Sequence, residues 1–338
     1  MSRPHPAALV EDCANRALGA TLAAAGWRPV VVPHVGYGSD DFLRVLARVV
    51  RAPARDPRTS ASATPTARRG WHTFLTAEVT GAEVTLAVPG SRREHLVRAD
   101  RSGLVDVRIP NPGLGPGWHE VTVRAEGSAP RAVPVLVVAG TTGVGVVSDL
   151  DDTVIRTYLP RPLVAAYNAL LVVETARRPV PGMADLLSAV RRRYDAAPVF
   201  YVSTGAWNAA RMLGRFLERH DFPSGPMLLT DWGPTQTGWF RSGYEHKRTT
   251  LRRLAEDFPR VRWLLLGDDG QRDPEVYAEF AREYPARVLA IALRQLGIEE
   301  QVLSHGSIAG RPAQAPAGVP EVRGPDGYAI LDQLRDLW

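Results

Sequence analysis

The chain has one cysteine, Cys13, in 338 residues, so no internal disulfide can staple it. A disulfide-framed secreted fold is excluded, and the reducing cytoplasm is the expected compartment. Long apolar runs are missing as well. Stretches such as Trp263–Leu266 and Val288–Leu293 fall far short of the roughly 20 residues with which a helix crosses a bilayer. The start carries no charged segment followed by an uninterrupted apolar core and a cleavage site. A soluble protein is expected, with peripheral membrane contact left open. Neither a zinc-ligand set nor an RNA-binding signature is present, and basic residues are interspersed with acidic ones, with only short clusters such as Arg191–Arg193. The formal net charge of +5 therefore favours anionic partners in general, and nucleic acid is not expected among them.

What is present divides the chain by pattern. With 45% hydrophobic and 23% charged residues over 338 positions, the composition is that of a globular protein of two domains. Residues 1–26 include the Ala/Leu-rich stretch Ala7–Ala25 and are expected to be helical. Residues 27–140 carry short alternating runs, HTFLTAEVTG, AEVTLAVPG, LVDVRIP, HEVTVRA and AVPVLVVAG, broken by turn residues. This alternation predicts a β-sandwich. Within it, 52–70 is rich in Pro, Ser, Thr and Arg and is expected to be a mobile loop. From 141 to 305 the buried-type strands GVGVVS, PVFYVS, VRWLLLG and RVLAIAL alternate with helical periods, which predicts a parallel α/β sheet. The remainder, 306–338, reads as a Pro/Ala/Gly-rich linker as far as Gly324 and then a terminal helix.

In an open α/β sheet the reacting groups gather at the carboxyl ends of the strands. Asp149-Leu150-Asp151-Asp152-Thr153 follows the first buried strand, Ser203-Thr204-Gly205 the second, and Gly267 to Asp273 the third, with Lys247 opening a helix between the last two. Carboxylates gathered in this way repel one another unless a cation compensates, and hard oxygen ligands suit Mg²⁺. Taken alone, Asp-Leu-Asp-Asp-Thr reads equally well as a helix cap. Gly267–Asp273 could also cap a helix beginning at Pro274.

The ordered set of D-x-D-x-T, a strand-end Ser, a Lys and G-D-x-x-x-x-D resembles the four motifs of the haloacid dehalogenase (HAD) superfamily. More narrowly, GVVSDLDDTV, FYVSTGAWN, His246-Lys247 and LLLGDDGQRDPEVY are similar to the catalytic domain of the App1-type phosphatidate phosphatase family. GWRPVVVPHVGYGSDDFLRVLARVV, RADRSGLVDVRIP and GWHEVTV resemble that family's N-terminal parts. The resemblance implies a HAD-like Rossmannoid sheet preceded by a β-sandwich domain. It also implies a Mg²⁺-dependent phosphatase acting on a phosphate ester, with phosphatidate as the implied phospholipid substrate.

In that mechanism Asp149 is the nucleophile and Asp151 the acid and base. Thr153 caps the next helix and steadies Asp149, while Ser203 and Lys247 hold the phosphoryl group. Asp149, the Asp151 carbonyl and Asp268 bind the metal, with Asp273 an outer ligand or orienter. Two departures stand out: Gly205-Ala206-Trp207 replaces the usual Ser-Pro-Trp, and Asp269 stands in the last motif where the family has Ser. Asp269 is expected to tune the metal site. His246 is expected to be structural, and Arg156 either reaches a phosphate or forms a salt bridge. The apolar stretch Tyr158–Pro181 and the aromatic residues Trp232, Trp239, Phe240 and Tyr244 either touch acyl chains or pack onto the core. A soluble phosphate monoester is the alternative substrate, and a non-catalytic binding protein the third reading. The oligomeric state is left open.

Overall fold

The computed structural model describes residues 21–53, 77–156, 177–230, 243–297, 300 and 314–338. The expected loop 52–70, the stretch 158–176 and Trp232, Trp239 and Phe240 lie wholly or mostly outside them, as do residues 1–20. A helical turn at 21–24 is present. The described residues divide into two compact units, the first ending at Gly140 and the second beginning at Thr141.

The first unit is all β. Strands β1 (Trp27–Gly38), β2 (Phe42–Pro53), β3 (Ala77–Glu78), β4 (Glu83–Ala87), β5 (Glu94–Arg98), β6 (Leu104–Pro110), β7 (Gly117–Ala125) and β8 (Arg131–Val137) join one sheet in the order β3-β2-β1-β8-β7-β4-β5, with β6 also on β2. The two separate sheets of a sandwich are therefore replaced by one curled sheet. The reason lies in β1, whose register with β2 shifts between His34 and Tyr37. A bulge there bends the strand, and its last residues, Gly36–Gly38, pair in parallel with Val135–Val137 of β8. Both halves of the sheet face one apolar core, which includes Val45, Val84, Leu86, Val105, Val121 and Val133.

The second unit begins with β9 (Val144–Asp149), the central strand of a six-stranded parallel sheet. A two-stranded ribbon follows, β10 (Ile155–Arg156) with β11 (Arg178–Pro179). Next come α1 (Met183–Arg193), β12 (Val199–Ala206), a 3-10 turn at Trp207–Ala209, α2 (Ala210–Arg219) and β13 (Met227–Thr230). The chain then crosses over through α3 (Gly243–Asp257), β14 (Arg262–Asp268), α4 (Asp273–Glu283), β15 (Val288–Arg294), β16 (Glu321–Gly324) and α5 (Gly327–Arg335). Strand order is β13-β12-β9-β14-β15-β16. The helices dock by their apolar stripes; α1, for example, buries Met183, Leu186, Leu187 and Val190 at helical spacing.

Glu321–Gly324, expected within a loose linker, is instead a strand paired with Ile291–Arg294. Four residues are too few to show a period, and the partner that makes them a strand, β15, is separated from them by residues 295–320. Because β12 and β14 flank β9 on opposite sides, the chain reverses its direction of growth at β9. The crevice at its carboxyl end is the natural ligand position for such a sheet.

Candidate functional site

Register brings the acidic motifs together. Val202 of β12 lies opposite Asp149, and Leu266 of β14 opposite Ser148, so Ser203, the next residue of β12, and Asp268, the last of β14, lie beside Asp149. Asp149, Asp268 and Asp273 are all buried and offer carboxylate oxygens that lie within 4.8 Å of one another.

Each member is held in place by local structure. Asp268 Oδ1 accepts the amides of Gly270 (2.8 Å) and Gln271 (3.0 Å), which leaves Oδ2 without a hydrogen-bond partner. Asp273 begins α4, where the helix N-terminus favours negative charge. Its Oδ2 accepts the Asp268 amide at 3.3 Å. That approach requires glycine at 267, since a Cβ there would sit 2.5 Å from Asp273 Oδ2. Lys247 shares one face of α3 with Thr250, Leu251, Leu254 and Ala255, so helical periodicity turns its ammonium inward. Its Nζ lies 3.1 Å from Asp149 Oδ1 and 2.5 Å from Asp273 Oδ1.

Three buried carboxylates against one ammonium leave an excess of negative charge. Burial pushes the Asp149 carboxyl well above the usual range; Lys247 lowers it, but Asp273, Asp268 and Asp151 add to the rise. Asp268 is raised too, by burial and then by Asp273. Burial would lower the pKa of Lys247, yet Asp149, Asp273 and Asp268 outweigh it and raise the value. The residues fit a divalent cation. Asp149 Oδ2 and Asp268 Oδ2 are buried without hydrogen-bond partners, an arrangement that costs free energy unless a ligand completes it.

This charge excess has a measurable consequence. Carboxyls whose pKa is raised by folding bind protons more tightly in the native state, so their contribution is fully present below the unfolded value and is lost as pH rises through the folded one. In EDTA the melting temperature of this protein should therefore fall as the pH rises above the ordinary carboxylate range. A saturating divalent cation should restore it most at the higher pH, by about 2.7 kcal/mol at one hundred times its dissociation constant. Melts with and without Mg²⁺ across this rise in pH check the expectation, and parallel curves would contradict it.

The other expected residues are distributed around this cluster. Asp151 is half-buried and outside the triad; its Oδ2 accepts the Ser203 hydroxyl at 3.1 Å, and Ser203 Oγ in turn accepts the Gly205 amide at 3.0 Å. Thr153 caps no helix. The amides of Val154 and Ile155 turn back to Leu150 O, and the chain enters β10 instead. The buried Thr153 hydroxyl has no hydrogen-bond partner and so does not hold Asp149. Nor does Asp269 join the metal cluster: its Oδ1 accepts the Leu296 amide at 2.9 Å, facing the end of β15. Asp273 caps no helix by its side chain either, because its oxygens serve Lys247 and the Asp268 amide. His246 bonds Leu228 O at 3.1 Å, tying α3 to β13, and Arg156 lies 3.9 Å from Glu300. Tyr244 donates to Glu279 at 2.8 Å.

Three residues close to the acidic cluster were not given a role from the sequence. Asp152 is buried, has a positive φ of 56° and raises Asp268. Tyr277, buried behind the triad, donates its hydroxyl to Leu266 O at 3.1 Å. Arg177 enters β11 within the electrostatic reach of Asp151. Asp152 could have been found as the third carboxylate of its motif; the other two carry no local signal.

Residues 144–295 match the family model described as phosphatidate phosphatase APP1, catalytic domain. Phosphatidate phosphatase APP1 of Saccharomyces cerevisiae is 26% identical over 155 residues, covering 45% of this chain and 26% of that one. Uncharacterized protein C29B5.04c of Schizosaccharomyces pombe is 25% identical over 165 residues, covering 48% and 26%. The chain thus matches about a quarter of the length of these curated relatives. A solved 2,6-sialyltransferase of Photobacterium sp. JT-ISH-224 covers 90% of this chain and 58% of its own, at 9% identity and a TM-score of 0.26, too remote to inform the fold or the chemistry.

Proposed function

We propose, from the match of residues 144–295 to the App1 catalytic-domain model, that this chain is an App1-type phosphatase forming an aspartyl phosphate on Asp149. We assign Mg²⁺ as its cation, a HAD-like Rossmannoid arrangement to its parallel sheet, and phosphatidate as its substrate, to be converted to diacylglycerol and phosphate. One observation carries the reading. A buried carboxylate ends the central strand with Oδ1 against an ammonium at 3.1 Å and Oδ2 without a hydrogen-bond partner. A carboxylate serving structure alone would have both oxygens engaged.

Mg²⁺ bound by Asp149, Asp268 and the Asp151 carbonyl would supply the charge that keeps Asp149 ionised and offsets that of the phosphoryl group. Asp149 attacks phosphorus, and the bond to the ester oxygen breaks as the new P–O bond forms. Asp151 gives its proton to the departing alkoxide. The same carboxylate then takes a proton from the water that attacks the phosphoaspartate, which releases inorganic phosphate and restores Asp149. The Ser203 hydroxyl, 3.1 Å from Asp151 Oδ2, fixes the orientation of this acid and base. Lys247 offers its charge to the phosphoryl oxygens while steering Asp149. Asp273 orients Lys247 and the Asp268 amide.

No helix among the described residues is long and apolar enough to cross a membrane. In this proposal the protein meets phosphatidate from the cytoplasmic side as a peripheral protein. Phosphate release from phosphatidate in mixed micelles, run beside soluble sugar phosphates and nucleotides, tests the assignment. Release from phosphatidate should vanish in EDTA and return with Mg²⁺, whereas Ca²⁺, with its looser coordination, should restore little. Preference for a soluble ester would overturn the lipid assignment, and undiminished turnover under thorough chelation would overturn the metal.

A further inference from the structure

We infer that Arg294 is a positioning residue for the acidic loop and that, with the C-terminal segment, it fixes the backbone from which Asp151 works. The catalytic part of this inference rests on the phosphatase reading above; the structural part does not.

Arg294 ends β15 and lies in register with Asp268, two strands away from Asp149. The residue is 1% exposed, and a charge so deeply buried is tolerated only when paired and hydrogen-bonded. Its donors are spread over three segments. Nη1 donates to Asp152 O at 2.8 Å, Nε to Pro325 O at 3.1 Å, and Nη2 to both carboxylate oxygens of Glu300 at 2.7 and 2.8 Å.

The Asp152 contact matters because of that residue's backbone. With φ at 56° it occupies the left-handed region, which a non-glycine residue keeps only where its surroundings hold it. Two bonds grip it from opposite sides: its amide donates to Ile155 O at 2.8 Å, and its carbonyl accepts from Arg294. Asp151 shares a peptide unit with Asp152, so relaxation at Asp152 rotates the residue carrying the proposed acid. Glu300 and Pro325 both lie beyond residue 295, where the match to the catalytic family ends. The same C-terminal segment reaches the ribbon, since the Gly327 amide donates to Pro181 O at 2.9 Å, two residues past β11. Arg294 thus joins the acidic loop to a segment that also bonds the chain just past the ribbon.

The test uses the full chain with Arg294→Met and Arg294→Lys, read by hydrogen exchange at the amides of 150–156 and by kcat and KM. Arg294→Met should speed exchange of the Asp152, Val154 and Ile155 amides while those of α1 stay as slow as in the parent. It should lower kcat about 10²-fold with KM little changed, since a misplaced reacting group costs rate rather than affinity. Lysine, a single-headed donor, cannot serve Asp152, Pro325 and Glu300 together, so Arg294→Lys should fall between the two. It decides the question if the methionine variant does not fold. Parent-like loop exchange in the lysine variant, or an equal rise across the whole unit, overturns the inference. A parent protein without phosphatase activity would refute the functional reading instead, and the exchange pattern would then judge Arg294 by itself.

Discussion

Asp149→Asn is expected to abolish phosphate release, by several powers of ten, without unfolding the protein. The amide keeps the size of the side chain but cannot attack phosphorus, and among the described residues no other carboxylate ends the central strand with one oxygen beside Lys247 and the other without a hydrogen-bond partner. The stability outcome separates this loss from damage to the fold. Removing one charge from a buried group of three carboxylates relieves repulsion, since Asp149 and Asp268 are both held above their ordinary range by burial and by their neighbours. In EDTA the variant should therefore melt no lower than the parent, while stabilisation by Mg²⁺ is largely lost. Lys247 keeps Asp273 as its partner throughout. Substantial turnover by the purified variant would point to another nucleophile.

Asp151→Asn should slow an alkyl ester more than an aryl one. Each of its two proton transfers is worth roughly 10²–10⁴-fold in rate. In a single turnover p-nitrophenol leaves without a proton, so formation of the phosphoaspartate from p-nitrophenyl phosphate should be slowed much less than from phosphatidate. Its breakdown still lacks a base, so the intermediate should accumulate. The Ser203 hydroxyl that donates to Asp151 can donate to the asparagine carbonyl as well, which preserves the local packing. Equal losses with both leaving groups would contradict the acid role.

The acidic site was legible in the sequence because its members end strands whose apolar runs are long enough to read. GVGVVS, PVFYVS and VRWLLLG became β9, β12 and β14, and their register delivered Asp149, Ser203 and Asp268 to one edge. Lys247 was legible only as a member of the set; its burial follows from a helix period that also places Leu251 and Leu254 inward. Illegible features depended on distant partners. Thr153 looked like a helix cap until Ile155 found Pro179 and the chain became a ribbon. Asp269 looked like a further ligand, yet the Leu296 amide claims it. Met227–Thr230 and Glu321–Gly324 are too short to announce themselves as strands. The curl of the first sheet rests on a bulge that no hydropathy pattern marks.

The central claim, that Asp149 carries the phosphoryl group, is tested most directly by trapping. The Asp151→Asn protein with p-nitrophenyl phosphate and Mg²⁺ would be quenched rapidly and reduced with borohydride, which turns an aspartyl phosphate into homoserine. Mass spectrometry of the peptide containing residues 144–156 should then find homoserine at position 149, in proportion to the p-nitrophenol burst. A burst with the label on any other residue, or with no covalent label at all, would contradict the mechanism.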